Sequence, residues 1–420
     1  MEADVIIVGA GPAGSLAAYN LASNGLQVLI LEKAIFPRYK VCGAGLTYKI
    51  LREIPFDLSP IFETSINSFV FSCHFEERFT RTSSEPMLFC TSREKLDDFL
   101  LQKAVDAGAK VLHGEKIVSI EQHEDCVVAE TKGRKYHSKL LIGADGAASI
   151  VARSAKLRDN IMPGLAWEAE VEVEPEVLRR YSKTVFLDWG TFPGGYGWVF
   201  PKEDHLSIGV GGPASLSRYM MPYYRRMLKY LETSHERPDG HNMALTLKDV
   251  PVVVTRTISL KSWPIPVRVR RSRFHQGRVL VAGDAAGLTD PLTGEGIYYA
   301  VRSGILAADA CYNYLSGKGA SLESYSHSVN QELMGELLEA NRIKDVFNTF
   351  PYKIHRFVRD RERAWSAFAR ILRGERWYAD VRKGFGKWKI FWGLTCKVSH
   401  WISDSKERKL LKSGFSGGHE

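Results

Sequence analysis

The sequence predicts an α/β protein in which a Rossmann-like nucleotide-binding domain carries an inserted antiparallel sheet and is followed by a helical C-terminal region. Three observations predict it. A short apolar run at residues 4–8 meets a glycine triplet, a second strand-and-glycine segment returns at residues 278–296, and the stretch between them changes to period-two patterning.

Asp4-Val-Ile-Ile-Val8 has the β-branched character of a buried parallel strand. Gly9, Gly11 and Gly14 follow as G-x-G-x-x-G. In such a turn the glycines permit a tight bend, close approach of backbone to a pyrophosphate, and close packing of helix on sheet. A helix from about Ala13 to Asn24 directs its positive end at the phosphates, and Gly25 is its expected stop. The run Gln27–Leu31 then ends at Glu32, with Lys33 beside it. A carboxylate about 20 residues past the glycines is where a ribose hydroxyl finds its acceptor.

NAD and FAD share this first box, so the later segments decide between them. Arg278-Val-Leu-Val-Ala-Gly-Asp-Ala-Ala-Gly287 is an apolar strand running into Gly283 and Asp284, with Pro291, Gly294 and Gly296 ahead of a helix. It resembles the second FAD box of the para-hydroxybenzoate-hydroxylase-like flavoproteins, whose Asp binds the ribityl chain. Leu140-Leu-Ile-Gly-Ala-Asp-Gly146 resembles the internal Asp-Gly motif of the same superfamily, which adds Asp145 to the site. FAD is therefore the expected cofactor. Asp284 would also serve as a helix N-cap, and the two roles are compatible.

Domain organisation follows from the boxes, which fall in residues 1 to about 70, 88–155 and 265–320. Residues 1–155 and 265–320 are expected to form one discontinuous FAD-binding domain. Within 156–264, Glu168-Ala-Glu-Val-Glu-Val-Glu174 and Leu206-Ser-Ile-Gly-Val210 alternate, which predicts an antiparallel substrate-binding sheet with one wet face. From Leu322 to about Gly374 apolar residues recur at helical spacing, so 321–420 reads as a helical, basic, Trp-rich region that ends in a short Gly-Ser tail at 413–418.

At 420 residues, with 45% apolar and 25% charged residues, the chain has the composition of an ordinary folded protein of two domains. No run of 18 uncharged apolar residues occurs, and the first strand starts too early for a cleavable signal peptide, so a cytoplasmic protein is expected. Six cysteines without C-x-x-C or His/Cys ligand spacing argue for a reducing compartment and no structural metal. The net charge of +9 is concentrated at one end: residues 351–420 hold 17 Lys and Arg against 7 Asp and Glu, the first 350 residues 40 against 41. The same segment carries Trp365, Trp377, Trp388, Trp392 and Trp401. Within 388–402, Phe391, Leu394, Val398, Trp401 and Ile402 recur at helical spacing among lysines. An amphipathic basic helix of this kind lies on an anionic membrane surface, making the protein peripheral to the membrane; the competing reading packs the aromatics on the core. Nucleic acid is not expected, because no recognised binding module accompanies the charge.

Taken together, the motifs resemble the geranylgeranyl reductase family. Three segments carry the resemblance: Phe36-Pro-Arg-Tyr-Lys-Val-Cys-Gly-Ala-Gly45, Tyr196-Gly-Trp-Val-Phe-Pro201, and Gly283 to Tyr299. It covers roughly residues 1–320. By that resemblance FAD contacts fall on Ala13, Gly14, Glu32, Cys42, Gly43, Gly45, Arg93, Ile117, Asp284, Gly296 and Ile297, while Tyr196, Trp198, Phe200 and Pro201 line the substrate site. Arg93 also reads as a surface salt-bridge former at a helix start.

The implied reaction saturates C=C bonds of a geranylgeranyl or related isoprenoid chain on a lipid, chlorophyll or quinone precursor. NADPH or a ferredoxin, the latter an electron-donor protein, is the expected reductant, since no second complete nucleotide box is present. A prenyl chain offers no hydrogen bonds and is gripped by burial, at roughly 3–4 kcal/mol per five-carbon unit. Gly194, Gly195 and Gly197 in the aromatic strand are read as points of close approach by a ligand or another backbone. An isolated trisubstituted alkene needs protonation along with hydride. Cys42 is the catalytic candidate, read as a positioning residue ahead of a direct donor because a thiol is a poor acid for an alkene, or else as a small buried residue lining the flavin loop; Tyr48, Tyr298 and Tyr299 stand behind it as donors. Two rival readings of the same fold are a flavin-dependent aromatic hydroxylase (a monooxygenase) and a non-catalytic prenyl-binding protein.

Overall fold

The computed structural model describes residues 2–233, 254–319, 321–384 and 389–412. Its first sheet has a parallel centre, in which Glu2–Val8 is flanked by Arg134–Gly143 and Val28–Glu32. Lys110–His113 and Val279–Val281 extend it on either side, also in parallel. The central strands are buried on both faces, as expected of β-branched runs covered by helices on each side.

The helix Pro12–Ser23 starts at the glycine turn and crosses the helix Ile297–Leu315. Gly304 permits the crossing, because a Cβ there would collide with the backbone of Ala13. Ala13 and Gly283 pack beside the same contact, so both glycine boxes are drawn to one end of the sheet.

A second sheet of seven strands runs in the order 254–268, 161–173, 206–213, 196–201, 184–189, 68–73, 76–82. Its pairs are antiparallel except 184–189 with 68–73, which are parallel. The expected insertion at 156–264 is drawn differently by this sheet. Residues 68–82 join it from the first half of the chain, and its last strand continues to Arg268; residues 234–253 lie outside the described ones.

The expectation of one wet face is overturned. The helix Met220–Thr233 covers the back, where Tyr223, Met227 and Leu231 pack on Phe186, Val199 and Ile208. The front faces a large cavity, and exposure is concentrated on the two edge strands, Val254–Arg268 and Glu76–Thr82.

The C-terminal region is helical, with Met334–Thr349, Pro351–Asp360, Glu362–Leu372, Tyr378–Gly384 and Lys389–Lys412 as its main helices. Trp365 and Phe368 close on Phe69 and Phe71 of the second sheet. Trp365 is therefore a core residue, while Trp377 and Trp401 are exposed. Lys387 and Trp388, the side chains of Lys389, Phe391, Trp392, Leu394 and Lys412, and the Gly-Ser tail lie outside the described residues. Among the described residues no helix is long and apolar enough to cross a membrane, and no cluster of side chains could hold a metal ion.

Candidate functional site

A cavity of about 1540 Å³ runs from the glycine turn of the first sheet, under the second sheet, to the C-terminal helices. An ordinary ligand cleft has roughly 300–1,000 Å³, so this one has room for a dinucleotide and a long second ligand.

Its nucleotide end is built from strand termini. Gly9 is in the left-handed region at φ 99°, and a Cβ at Gly14 would strike the Gly9 carbonyl, which fixes the turn. Gly14 does not line the cavity, because its role is this packing. Glu32 is buried at the end of its strand and accepts the amides of Ala10 at 2.7 Å and Ala34 at 2.9 Å. Arg93 begins the helix Arg93–Asp106, but it is buried rather than a surface residue. Its guanidinium donates twice to Asp97, at 2.8 and 2.7 Å, and Arg38 joins the same carboxylate at 2.8 Å. The Asp97 charge holds Arg93 fully cationic despite its burial. Both guanidinium groups lie about 4.0 Å from where a Cβ on Gly11 would be, beside the phosphate position of the turn.

Farther along the same end, Asp284 lines the cavity and pairs with Lys40 at 3.3 Å; its side chain caps no helix. Asp145 also lines it, but its carboxylate is committed to Ser149 at 2.5 Å and the amides of Ile150 and Val151, the start of the helix Ile150–Ser154. Lys33, Ile117, Gly294, Gly296 and Ile297 border the same space. An uncapped helix N-terminus, a carboxylate at the second strand end and two cations beside the turn make a donor set that fits FAD.

The second sheet supplies the opposite wall. Residues facing each other across its strands share a face, so Glu168, Gly209, Trp198, Leu187 and Phe71 form one row on the cavity side. Phe200 lies against the Phe36–Gly45 loop, called the flavin loop after the resemblance above, about 3.0 Å from a Cβ position on Gly43 and 3.1 Å from one on Gly45. Tyr196 donates to the Thr293 carbonyl at 2.6 Å, which ties the aromatic strand to the second glycine box. Tyr196, Trp198 and Phe200 all line the cavity, whereas Pro201 does not: it is buried at the strand end, and its carbonyl accepts from Thr64.

Gly194 and Gly195, ahead of this strand, line the cavity, and all three glycines also meet close side-chain neighbours. A Cβ at Gly197 would come within 2.6 Å of Met227 Sδ and 2.9 Å of the Tyr223 ring, on the back of the sheet. One at Gly195 would enter the Phe192 ring, and Gly194 turns at φ 70° against Pro213.

Cys42 lies where the flavin loop meets the sheet. Its amide donates to Glu168 Oε1 at 2.8 Å, and its Sγ accepts from Ala44 at 3.3 Å. Lys202, also buried, donates to the carbonyls of Gly43 and Thr91 at 2.7 and 2.6 Å, so it clamps the loop from the far side. Tyr48, Tyr298 and Tyr299 do not line the cavity; Lys49 stands over the latter two rings.

Beyond the wall the cavity becomes apolar. Phe69, Phe71, Leu187 and Trp189 lead to Phe347, Ile354, Phe368 and Ile371 of the C-terminal helices. Phe357, 56% exposed, sits at one mouth, and Lys406 and Lys409 border the lining elsewhere. Sequence reasoning missed Arg38, Lys40, Glu168, Lys202 and this helical lining. Only Arg38 and Lys40 had a signal, since they fall inside the Phe36–Gly45 segment.

The FAD binding domain family matches residues 2–334. An uncharacterised protein of Methanosarcina barkeri is 34% identical over 73% of this chain and 73% of its own length. The geranylgeranyl diphosphate reductase of Rhodobacter capsulatus is 30% identical over 77% of this chain and 78% of its own. Among solved structures, a geranylgeranyl bacteriochlorophyll reductase-like protein from Thermoplasma acidophilum superposes with a TM-score of 0.68 at 25% identity, covering 83% of this chain and 88% of that one.

Proposed function

The chain belongs to the geranylgeranyl reductase family of FAD-dependent oxidoreductases, and from that premise we propose that it saturates C=C bonds along an isoprenoid chain carried by a lipid, chlorophyll or quinone precursor. The observation that supports this most is the continuity of one cavity from the nucleotide turn, past Tyr196, Trp198 and Phe200, into an apolar arm between the sheet and the C-terminal helices. When bound and reduced, FAD supplies the hydride equivalent.

The residues of the chain do the rest. Gly9, Gly11 and Ala13 with Glu32, Arg38 and Arg93 hold the nucleotide. Gly43 and Gly45, pressed against Phe200, keep the flavin loop flat against the aromatic wall. Trp198 and the apolar arm hold the prenyl chain by burial and exclude water, at roughly 3–4 kcal/mol per isoprene unit. The reductant is NADPH or a small electron-donor protein. The exposed Phe357, Trp377, Val398 and Trp401 on a strongly basic segment bring the mouth to an anionic membrane surface, where such chains reside.

The test is anaerobic. With dithionite as reductant, geranylgeranyl diphosphate or a geranylgeranylated lipid is expected to give saturated products by mass spectrometry as the flavin reoxidises. Reoxidation only when oxygen is admitted, without saturated product, would replace this reading with an oxygen-dependent one.

A further inference from the structure

Glu168, on the strand Ile161–Val173, borders the cavity while having no accessible surface of its own. One of its oxygens accepts the Cys42 amide; the other, Oε2, has no partner at full hydrogen-bond geometry, and the Ser207 hydroxyl is the side-chain donor beside the carboxylate. A buried carboxylate normally has its lone pairs satisfied, since an unpaired one costs several kcal/mol. Here the free oxygen is on the cavity side of the sheet, in the same row as Trp198, whose indole N–H is buried and unpartnered as well. Trp198 Nε1 lies 3.6 Å from the Cβ position of Gly43, so these free polar atoms flank the Cys42-Gly43 step of the flavin loop.

Resting on the reductase reading, we propose that Glu168 is the acid that protonates the substrate alkene and that it is recharged from solvent through Ser207, Glu170 and His205. The Glu168 O–H bond breaks, and a C–H bond forms at the less substituted alkene carbon. The positive charge left on the other carbon is cancelled by the hydride equivalent that the reductase reaction supplies. The alkene gains one hydride and one proton, and Glu168 is left as a carboxylate.

Return of the proton has a path. Ser207 stands directly across the strand pair from Glu170 and next to Glu168. Glu170 contacts His205 Nε2 at 2.8 Å, and His205 Nδ1 contacts the exposed Asp204 at 2.6 Å. The charged and titratable groups around Glu168 are Glu170, Lys202, Tyr39 and Tyr196. Burial, reinforced by Glu170 and opposed by Lys202, the Cys42 amide and the Ser207 hydroxyl, raises the Glu168 carboxyl to about 7, so about half of it is protonated at neutral pH. A carboxyl that titrates at about 7 is a stronger acid than an ordinary thiol at about 8.5.

The experiment uses the full-length flavoprotein and the Glu168→Gln and His205→Gln variants. Single-turnover reduction of a geranylgeranyl substrate by pre-reduced enzyme is expected to fall at least about 100-fold in Glu168→Gln, with FAD content and dithionite reduction unchanged. In His205→Gln the first turnover should proceed normally while later ones slow. Infrared spectra of the oxidised wild type should show a protonated carboxyl band at pH 6 that is lost by pH 9 and is missing from Glu168→Gln. Equal single-turnover rates, or a Glu168 already ionised at pH 6, would overturn the assignment. Absence of any alkene reduction by wild type would instead remove the reductase reading, while the infrared result would still judge the protonation of Glu168.

Discussion

Trp198 lies flat over Gly209: a Cβ at position 209 would fall within the indole ring, so the glycine exists to seat the tryptophan. The same indole is 94% buried while forming part of a cavity wall, with Gly43, Gly211 and the Tyr196 ring also against it. Gly209→Ala is therefore expected to tilt the ring and cut turnover of long prenyl substrates by about 10-fold or more, with FAD retained. Trp198→Ala should do the same by leaving a hole, at a stability cost of about 3–5 kcal/mol. Turnover by both variants at the wild-type rate would remove Trp198 from the substrate wall.

Asp284 lines the nucleotide end and pairs with Lys40, with the Arg93 cation also within electrostatic reach. Asp284→Ala should weaken FAD retention by about 10-fold, the worth of roughly one charge-assisted hydrogen bond. Flavin content after gel filtration measures it directly, and a full complement of FAD would contradict the role.

Asp97 accepts from two guanidinium groups at once. Asp97→Ala leaves Arg93 buried without its partner, for an expected loss of about 3–5 kcal/mol. The thermal midpoint should drop by several degrees in the FAD-free protein, and more FAD should be needed to restore it. An unchanged midpoint would show that the cluster relaxes into solvent.

Glu168 makes a pH prediction that does not depend on turnover. Its carboxyl is raised from the ordinary 4.5 to about 7 by burial, so the native state binds the proton more tightly than the unfolded chain. Its contribution to stability is fully present below about 4.5 and is lost as pH rises through about 7. The change is about 3 kcal/mol. Denaturant unfolding between pH 5 and 8 should show this slope in wild type and lose it in Glu168→Gln.

The C-terminal segment should bind vesicles that contain anionic phosphatidylglycerol, and lose that binding as salt is raised. Trp401 is 72% exposed, so Trp401→Ala should weaken binding severalfold without changing the thermal midpoint. Equal binding to neutral vesicles at all salt concentrations would contradict an anionic surface.

The nucleotide half was legible because its signals are local: the Gly9–Gly14 turn, Glu32 at a strand end and Asp284 after Val279–Val281 are each determined by a few adjacent residues. The aromatic wall was legible for the same reason, since Tyr196, Trp198 and Phe200 alternate in one strand. Glu168 was not. Glu168, Glu170 and Glu172 alternate as a solvated strand face does, and only the Cys42 loop and the cavity in front of the sheet turn the first of them inward. The pairing of 184–189 with 68–73 was equally hidden, because a parallel pair has no turn between its strands. The reason for Gly197 lies in Met227 and Tyr223, thirty and twenty-six residues away on another element.

That parallel pair has a consequence for engineering. The substrate sheet takes two of its strands from residues 68–82, between the flavin loop and the helix that carries Arg93. A chimera that exchanges only residues 156–264 between relatives would put a foreign strand 184–189 against a resident strand 68–73, and with it a foreign Leu187 against a resident Phe71. The sheet is thus transplanted intact only when both pieces travel together, because each packs on the other across this seam.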